Sequence, residues 1–126
     1  MSAPTLVESP QAPAAVGPYS HALAGGGLLF ISGQIPLDAQ SKTIPDDIRE
    51  QARKALENLG HVLRAGGADF SRVLKTTVYL ADMQDFAAVN EIYASFFSRP
   101  YPARSCFAVR GLPLGVKVEI EAIALP

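Results

Sequence analysis

The chain has 126 residues, of which 48% are hydrophobic and 18% are charged. This length predicts a single domain over residues 1–126, and the composition excludes a disordered, collagen-like or coiled-coil chain. Eleven basic and twelve acidic side chains give a net charge of -1, so the overall charge does not favour nucleic acid or an anionic membrane as a partner.

The N-terminal residues 1–16 are rich in alanine and proline and lack the basic and apolar regions of a secretory signal. No apolar run approaches the roughly 18 residues that a membrane helix requires. The single cysteine, Cys106, predicts that the chain forms no internal disulfide. We therefore expect a cytoplasmic protein.

The first predicted element is a β-hairpin. Two β-like runs, residues 19–23 and 28–32, flank the adjacent glycines Gly25, Gly26 and Gly27. Such glycines supply the positive φ angles that tight hairpin connections require.

A helix is predicted over residues 48–65, because its apolar side chains recur every three or four positions. Asp47 followed by Glu50 resembles a capping box at its start, and Gly66 marks its end. The apolar positions of this helix are Ile48, Ala52, Leu56, Leu59 and Leu63.

Residues 73–80 alternate and are rich in β-branched side chains, which predicts a strand. A second helix is predicted after Asp85, ending before Pro100, and residues 103–110 and 116–125 follow as two more strands. One strand face should carry Leu74, Thr76, Val78 and Leu80, and the helix stripe should carry Phe86, Val89, Tyr93, Phe96 and Phe97, with Asn90 inside it.

The predicted order is ββ, α, β, α, ββ, which indicates the α+β class. The expected architecture is a mixed β-sheet with two helices packed on one face. Because the other face then needs a covering partner, we expect the chain to oligomerise.

The sequence contains no phosphate loop, zinc-ligand spacing, dinucleotide fingerprint or nucleophile elbow. Arg104 and Cys106 alternate with Ser105 on one predicted strand, so the guanidinium and the thiol should share a face. Arginine is suited to bidentate binding of a carboxylate. A surface arginine in a salt bridge explains the same pattern.

Other polar residues also have two interpretations. Glu119 belongs either to an exposed polar strand face or to a site that orients water. Asn90 is either a hydrogen-bonded core amide or a ligand contact, and Cys106 reads as a small buried side chain rather than a nucleophile. Turn chemistry accounts for Tyr19 after Pro18 and for Ser32 before Gly33. The two histidines, His21 and His61, receive no role.

Five segments together resemble the RidA family, also called the YjgF or UK114 family, of reactive intermediate deaminases. They are APAAVGPYS at residues 12–20, ISGQIP at 31–36, LKTTVYL at 74–80, YPARSC at 101–106 and VKVEIEAIA at 116–124. The resemblance implies a chorismate-mutase-like fold assembled as a homotrimer, with clefts between neighbouring subunits.

The resemblance also implies a set of site residues. Arg104 would hold the substrate carboxylate, and Glu119 would position the attacking water with the main-chain carbonyl of Cys106. The cleft would also be lined by Tyr19, Ser32, Gly33 and Asn90.

The implied substrates are small carboxylate-bearing imines and enamines, such as 2-iminopropionate and 2-aminoacrylate. They would be hydrolysed to 2-keto acids and ammonia without a cofactor or a metal, which is the activity of a 2-iminobutanoate/2-iminopropanoate deaminase. Two alternatives remain open: a regulatory module that binds small molecules, and an endoribonuclease that inhibits translation. The near-neutral charge argues against the endoribonuclease, and so does the absence of a basic stripe with interleaved aromatic residues.

Overall fold

The computed structural model describes residues 3–126. Six strands form one sheet in the order β1-β2-β3-β6-β4-β5, in which only the β4–β5 pair is parallel. The elements are β1 (Thr5–Val7), β2 (Ala22–Gly25), β3 (Leu28–Gln34), α1 (Ile48–Ala65), β4 (Val73–Leu80), α2 (Phe86–Phe96), β5 (Ala103–Ala108) and β6 (Val118–Ala124). The predicted α+β class and mixed sheet are confirmed.

The N-terminal hairpin forms between β2 and β3, as predicted. Gly26 and Gly27 connect the strands with φ angles of +62° and +79°, the left-handed values of a type I′ turn. β1 was not predicted. It has only three residues and forms by pairing with β2, so no pattern in its own sequence indicates it.

Helix α1 covers the predicted residues. The Asp47 side chain accepts a hydrogen bond from the Glu50 N–H at 3.1 Å, which satisfies one of the free donors at the helix start. At the other end the Gly66 N–H donates to the Val62 carbonyl at 3.1 Å. The apolar stripe of α1 packs against β3, β6 and α2.

Both helices cover the same side of the sheet, which we call the inner face. β6 shows the alternation most clearly, because Val118, Ile120 and Ala124 are fully buried there while the residues between them are only partly buried. On β4 the prediction for Leu74 was wrong. The pairing with β6 shifts register between Val73 and Lys75, and this bulge turns Leu74 outward, where its side chain is exposed.

The opposite side, the outer face, has no helix over it within residues 3–126. It presents the exposed aromatic side chains Phe30 and Phe107, together with Leu23 and the partly buried Tyr79. Tyr79 and Phe107 pack edge to face with ring centroids 5.4 Å apart. In the described part of the chain, no helix is both long enough and apolar enough to cross a membrane.

Candidate active site

Arg104 projects from the inner side of β5 toward α2. The parallel register sets it opposite Thr76, an inner-face residue of β4 that is fully buried. Its Nη1 donates a hydrogen bond to Oδ1 of Asn90 at 2.6 Å. Its Cζ lies 4.8 Å from the centre of the Tyr93 ring and 5.5 Å from that of Phe86.

The salt-bridge interpretation of Arg104 is wrong for the described residues, because the ion pairs found there do not include it. The interpretation of Asn90 as a core amide is also wrong. Asn90 is exposed, and its side chain contacts Arg104 at the edge of the apolar stripe of α2. A guanidinium bound to a neutral amide keeps its full charge and most of its donors for an external anion.

Cys106 shares the inner side of β5 with Arg104 and is partly buried. Burial raises the pKa of its thiol, and the opposing effect of the Arg104 charge is smaller. The thiol is therefore protonated at neutral pH and is a poor nucleophile.

The main-chain N–H and carbonyl groups of Cys106 point away from β4. The Val109 N–H donates to the Leu80 carbonyl at 2.8 Å, so odd-numbered residues of this strand direct their amide groups at β4. The N–H and carbonyl groups of Arg104 and Cys106 consequently face the open edge of the sheet.

Glu119 lies on the outer face, on β6, opposite Tyr79 of β4. Burial raises the pKa of its carboxyl group, and the charge of Glu121 raises it further. The side chain passes directly over Gly33, where a Cβ atom would lie 2.8 Å from Cδ of Glu119 and overlap its carboxylate. Only glycine at position 33 leaves this space free.

Ser32 and Gly33 both belong to β3, so the turn explanation is wrong for them. They lie where the pairing of β3 with β6 shifts register between Ile31 and Gln34. The Ser32 hydroxyl donates to the Ser20 carbonyl at 2.6 Å, which ties β3 to the segment that carries the exposed Tyr19.

Arg104 and Glu119 line separate pockets of the chain, each with other predicted site residues. Tyr19, Ser32, Gly33 and Glu119 line one of about 550 Å³, together with the apolar side chains Ile35, Leu37 and Leu114. Asn90 and Arg104 line another of about 470 Å³, together with Tyr93 and Tyr101. Neither pocket contains both the guanidinium of Arg104 and the carboxylate of Glu119.

Both histidines are held by contacts with other groups of the protein. His21 is buried, accepting at Nδ1 from the Ser9 N–H at 3.1 Å while its Nε2 contacts the Pro13 carbonyl at 2.7 Å. His61 contacts Arg64, and burial lowers its pKa. Residues 3–126 contain no group of three or more His, Cys, Asp or Glu side chains able to hold a metal ion.

The chain matches the sequence model of a family described as Endoribonuclease L-PSP over residues 9–126. It is 51% identical over 118 residues to the RutC family protein y4sK of Sinorhizobium fredii, covering 93% of this chain and 94% of that protein. It is 50% identical over 121 residues to the 2-iminobutanoate/2-iminopropanoate deaminase of Mus musculus, covering 95% of this chain and 90% of the mouse protein.

The chain belongs to the RidA family. Solved structures agree with this assignment. The YjgF gene product of E. coli superposes with a TM-score of 0.91 at 39% identity, covering 96% of this RidA protein and 98% of that chain. E. coli TdcF, whose structure contains bound serine, superposes with a TM-score of 0.92 at 42% identity, covering 97% and 98%.

The aromatic rings that flank Arg104 in this RidA protein were not predicted as part of its site. Phe86, Asn90 and Tyr93 are four and three residues apart, which places them on one side of α2. That spacing is the signal that could have found them, but it predicts only a shared face. The contact with Arg104 depends on how α2 packs on β4 and β5.

Proposed function

We propose that this RidA protein hydrolyses short 2-imino acids and their enamine tautomers to 2-keto acids and ammonia. The observation that carries the proposal is the setting of Arg104. Its guanidinium has an amide and two aromatic rings as neighbours and no carboxylate partner among the described residues. A planar carboxylate fits its remaining donors, and a 2-imino acid carries such a carboxylate next to the reacting carbon.

The reaction needs one water and no redox step. The water oxygen forms a bond to C2, the C=N π electrons move to nitrogen, and a proton from the water reaches that nitrogen. In the resulting carbinolamine the hydroxyl proton moves to the amino nitrogen, the C–N bond breaks and the C=O bond forms, which releases ammonia and the 2-keto acid. Glu119 accepts a proton from the water and returns it to the leaving nitrogen, while the Cys106 carbonyl accepts a hydrogen bond from the other O–H of the water.

The partial burial of Glu119 supports this role. A carboxyl group whose pKa is raised toward neutrality exchanges protons with water and with an amine more readily than a fully exposed one. The mammalian relatives named 2-iminobutanoate/2-iminopropanoate deaminase are 45% to 50% identical to this chain, which also supports the proposal.

The complete site would form between two chains. Arg104 is on the inner side of the edge strand β5, and Glu119 is on the outer face of the same sheet. A neighbouring copy that brings its own pocket of Glu119 and Gly33 against Arg104 would unite them. We propose the homotrimer implied by the family as that assembly, because a closed ring gives every chain the same pair of contacts.

The test uses an amino acid oxidase to generate imines, with semicarbazide to trap whatever imine remains. The wild-type protein should lower the trapped fraction, and Arg104→Ala should reduce kcat/KM about 10- to 100-fold, the expected loss for a charge-assisted hydrogen bond. Arg53→Ala, which removes an exposed arginine of α1, serves as the control and should match the wild type. Equal trapping with and without the wild-type protein would reject the proposal.

Ligand binding without turnover is the second candidate. The bound serine in the E. coli TdcF structure favours it, because it shows a relative holding a small carboxylate. Calorimetric binding of serine or pyruvate, with no acceleration of imine loss, would support this candidate over the deaminase.

A further inference from the structure

The guanidinium of Arg104 has neighbours on more than one side. Asn90 accepts one hydrogen bond, which fixes one nitrogen of the group. The Tyr93 ring lies 4.8 Å from Cζ, closer than the Phe86 ring at 5.5 Å. A cation held over an aromatic face stays oriented while its edge donors remain free.

Tyr93 is itself held in place. It is 5% exposed, and its hydroxyl is 2.8 Å from Oγ1 of the fully buried Thr76. The Phe97 ring also packs against it, with ring centroids 4.5 Å apart. The ring under Arg104 is therefore fixed by a buried hydrogen bond and by packing.

The position of Thr76 connects this hydrogen bond to the strand that carries Arg104. The parallel register pairs Thr76 of β4 directly with Arg104 of β5. Thr76 therefore holds the Tyr93 ring beneath Arg104, the residue with which Thr76 is paired in the sheet. The pairing of β4 with β5 fixes the backbone of Arg104, and the hydrogen bond between Thr76 and Tyr93 fixes the ring beneath its side chain. Because both start from Thr76, they fix the backbone and the ring relative to each other.

We propose that Tyr93, anchored by Thr76, is a positioning residue that sets the orientation in which Arg104 binds the carboxylate of its ligand. This inference rests on the proposed function for its turnover measurement. Its binding measurement does not depend on turnover. Neither Tyr93 nor Thr76 needs to touch the ligand for this role.

The variants separate the ring from its anchor. Tyr93→Leu removes the aromatic face and should raise KM about five- to thirtyfold with a smaller change in kcat. Tyr93→Phe keeps the ring but removes the hydroxyl, and should raise KM about three- to tenfold. Thr76→Val should match Tyr93→Phe, because each removes the same hydrogen bond.

The double variant Thr76→Val with Tyr93→Phe gives the decisive comparison. If Thr76 acts through Tyr93, KM of the double variant should lie within about twofold of either single variant, rather than at the product of their effects. Phe96→Leu is the matched control, because it removes another aromatic ring of α2 that packs on Phe70 and not on Arg104. Its KM should stay at the wild-type value.

A binding measurement, made alongside the kinetics, tests whether the protein recognises the charge of the ligand's carboxylate. Calorimetry compares the binding of pyruvate with that of pyruvamide, which lacks the charged carboxylate. The wild type should prefer pyruvate, and Tyr93→Leu should reduce that preference about fivefold or more while Phe96→Leu retains it. A general loss of folding would weaken both ligands alike, and light scattering should show the same assembly for every variant.

The outcomes distinguish the two proposals. A wild type that binds pyruvate but does not hydrolyse imines removes the proposed function, and the pyruvate preference of the variants then decides the role of Tyr93. An active wild type with unchanged KM and unchanged pyruvate preference in Tyr93→Leu overturns this inference and leaves the deaminase intact. A wild type with neither activity nor pyruvate binding overturns both.

Discussion

Arg104 and Glu119 lie on opposite faces of one sheet, with strand β4 between the strands that carry them. Arg104 shares the inner side with the fully buried Thr76, whereas Glu119 shares the outer face with Tyr79. A single chain therefore cannot direct both groups at one small ligand.

Mixed assemblies should recover activity that each variant lacks. Arg104→Ala and Glu119→Gln should each lose most of the wild-type activity when assembled alone, since each removes one half of every site. Every trimer that contains both variants has one junction that pairs an intact Arg104 with an intact Glu119, so the mixed trimers should have about one third of the wild-type activity. Differently tagged chains, mixed by refolding and purified through both tags, provide the measurement. Absence of any recovery would show that both groups act from the same chain.

Replacing Gly33 by alanine should impair catalysis through Glu119. The new Cβ would overlap the carboxylate, so the side chain must leave its position above β3. We expect kcat to fall about 10- to 100-fold, because a positioned acid–base group contributes about 10²- to 10⁴-fold and a displaced carboxylate loses part of that. Gly111→Ala is the control, because a Cβ there meets no atom within 4 Å. Steady-state kinetics of both variants check this prediction, and equal rates would disprove it.

The pH profile should depend on Glu121. Burial and the Glu121 charge both raise the pKa of Glu119, so this carboxylate becomes protonated at a higher pH than an exposed glutamate. Activity that needs the ionised form should be lost as the pH falls through that raised pKa. Glu121→Gln removes one of the two causes and should move the acid limb of kcat/KM to lower pH. Glu8→Gln, an exposed change of the same net charge, should leave the limb in place.

Asn58 should contribute to stability rather than to activity. Its buried Nδ2 donates to the carbonyls of Ile35 at 2.9 Å and Leu37 at 3.0 Å, which fixes the segment after β3 to α1. Asn58→Ala leaves these carbonyls without that donor and should lower the free energy of unfolding by about 1–3 kcal/mol. Urea denaturation at a fixed protein concentration measures the change. Arg53→Ala, on the exposed side of α1, should stay within about 0.5 kcal/mol of the wild type.

The sequence correctly predicted those elements whose ends are set by residues close to them in the chain. The bounds of α1 follow from the Asp47 cap, the apolar spacing and Gly66, all of which are read within a few residues. Non-local pairing produced the differences. The outward position of Leu74 comes from a bulge against β6, and β1 exists because β2 offers it an edge. Neither the bulge nor the pairing of β1 with β2 can be predicted from the residues that it affects.

The same division applies to the site. Spacing placed Arg104 and Cys106 on one strand face, but by itself it favoured a salt bridge over an anion site for the arginine. The resemblance to the RidA family supplied the candidate partners Glu119 and Gly33. The aromatic bed beneath Arg104 arises from the packing of a helix on strands far away in the sequence, so only the structure revealed it.

The open edge of β5 has a cost in solubility. An unpaired strand edge is a template on which a second chain can add another strand and begin to aggregate. β5 is preceded by Pro102, which has no N–H to donate, and it carries the charge of Arg104 in its second position. The residue proposed to bind the ligand thus also protects this edge against unwanted strand addition. Removing its charge should favour self-association in addition to the predicted loss of activity.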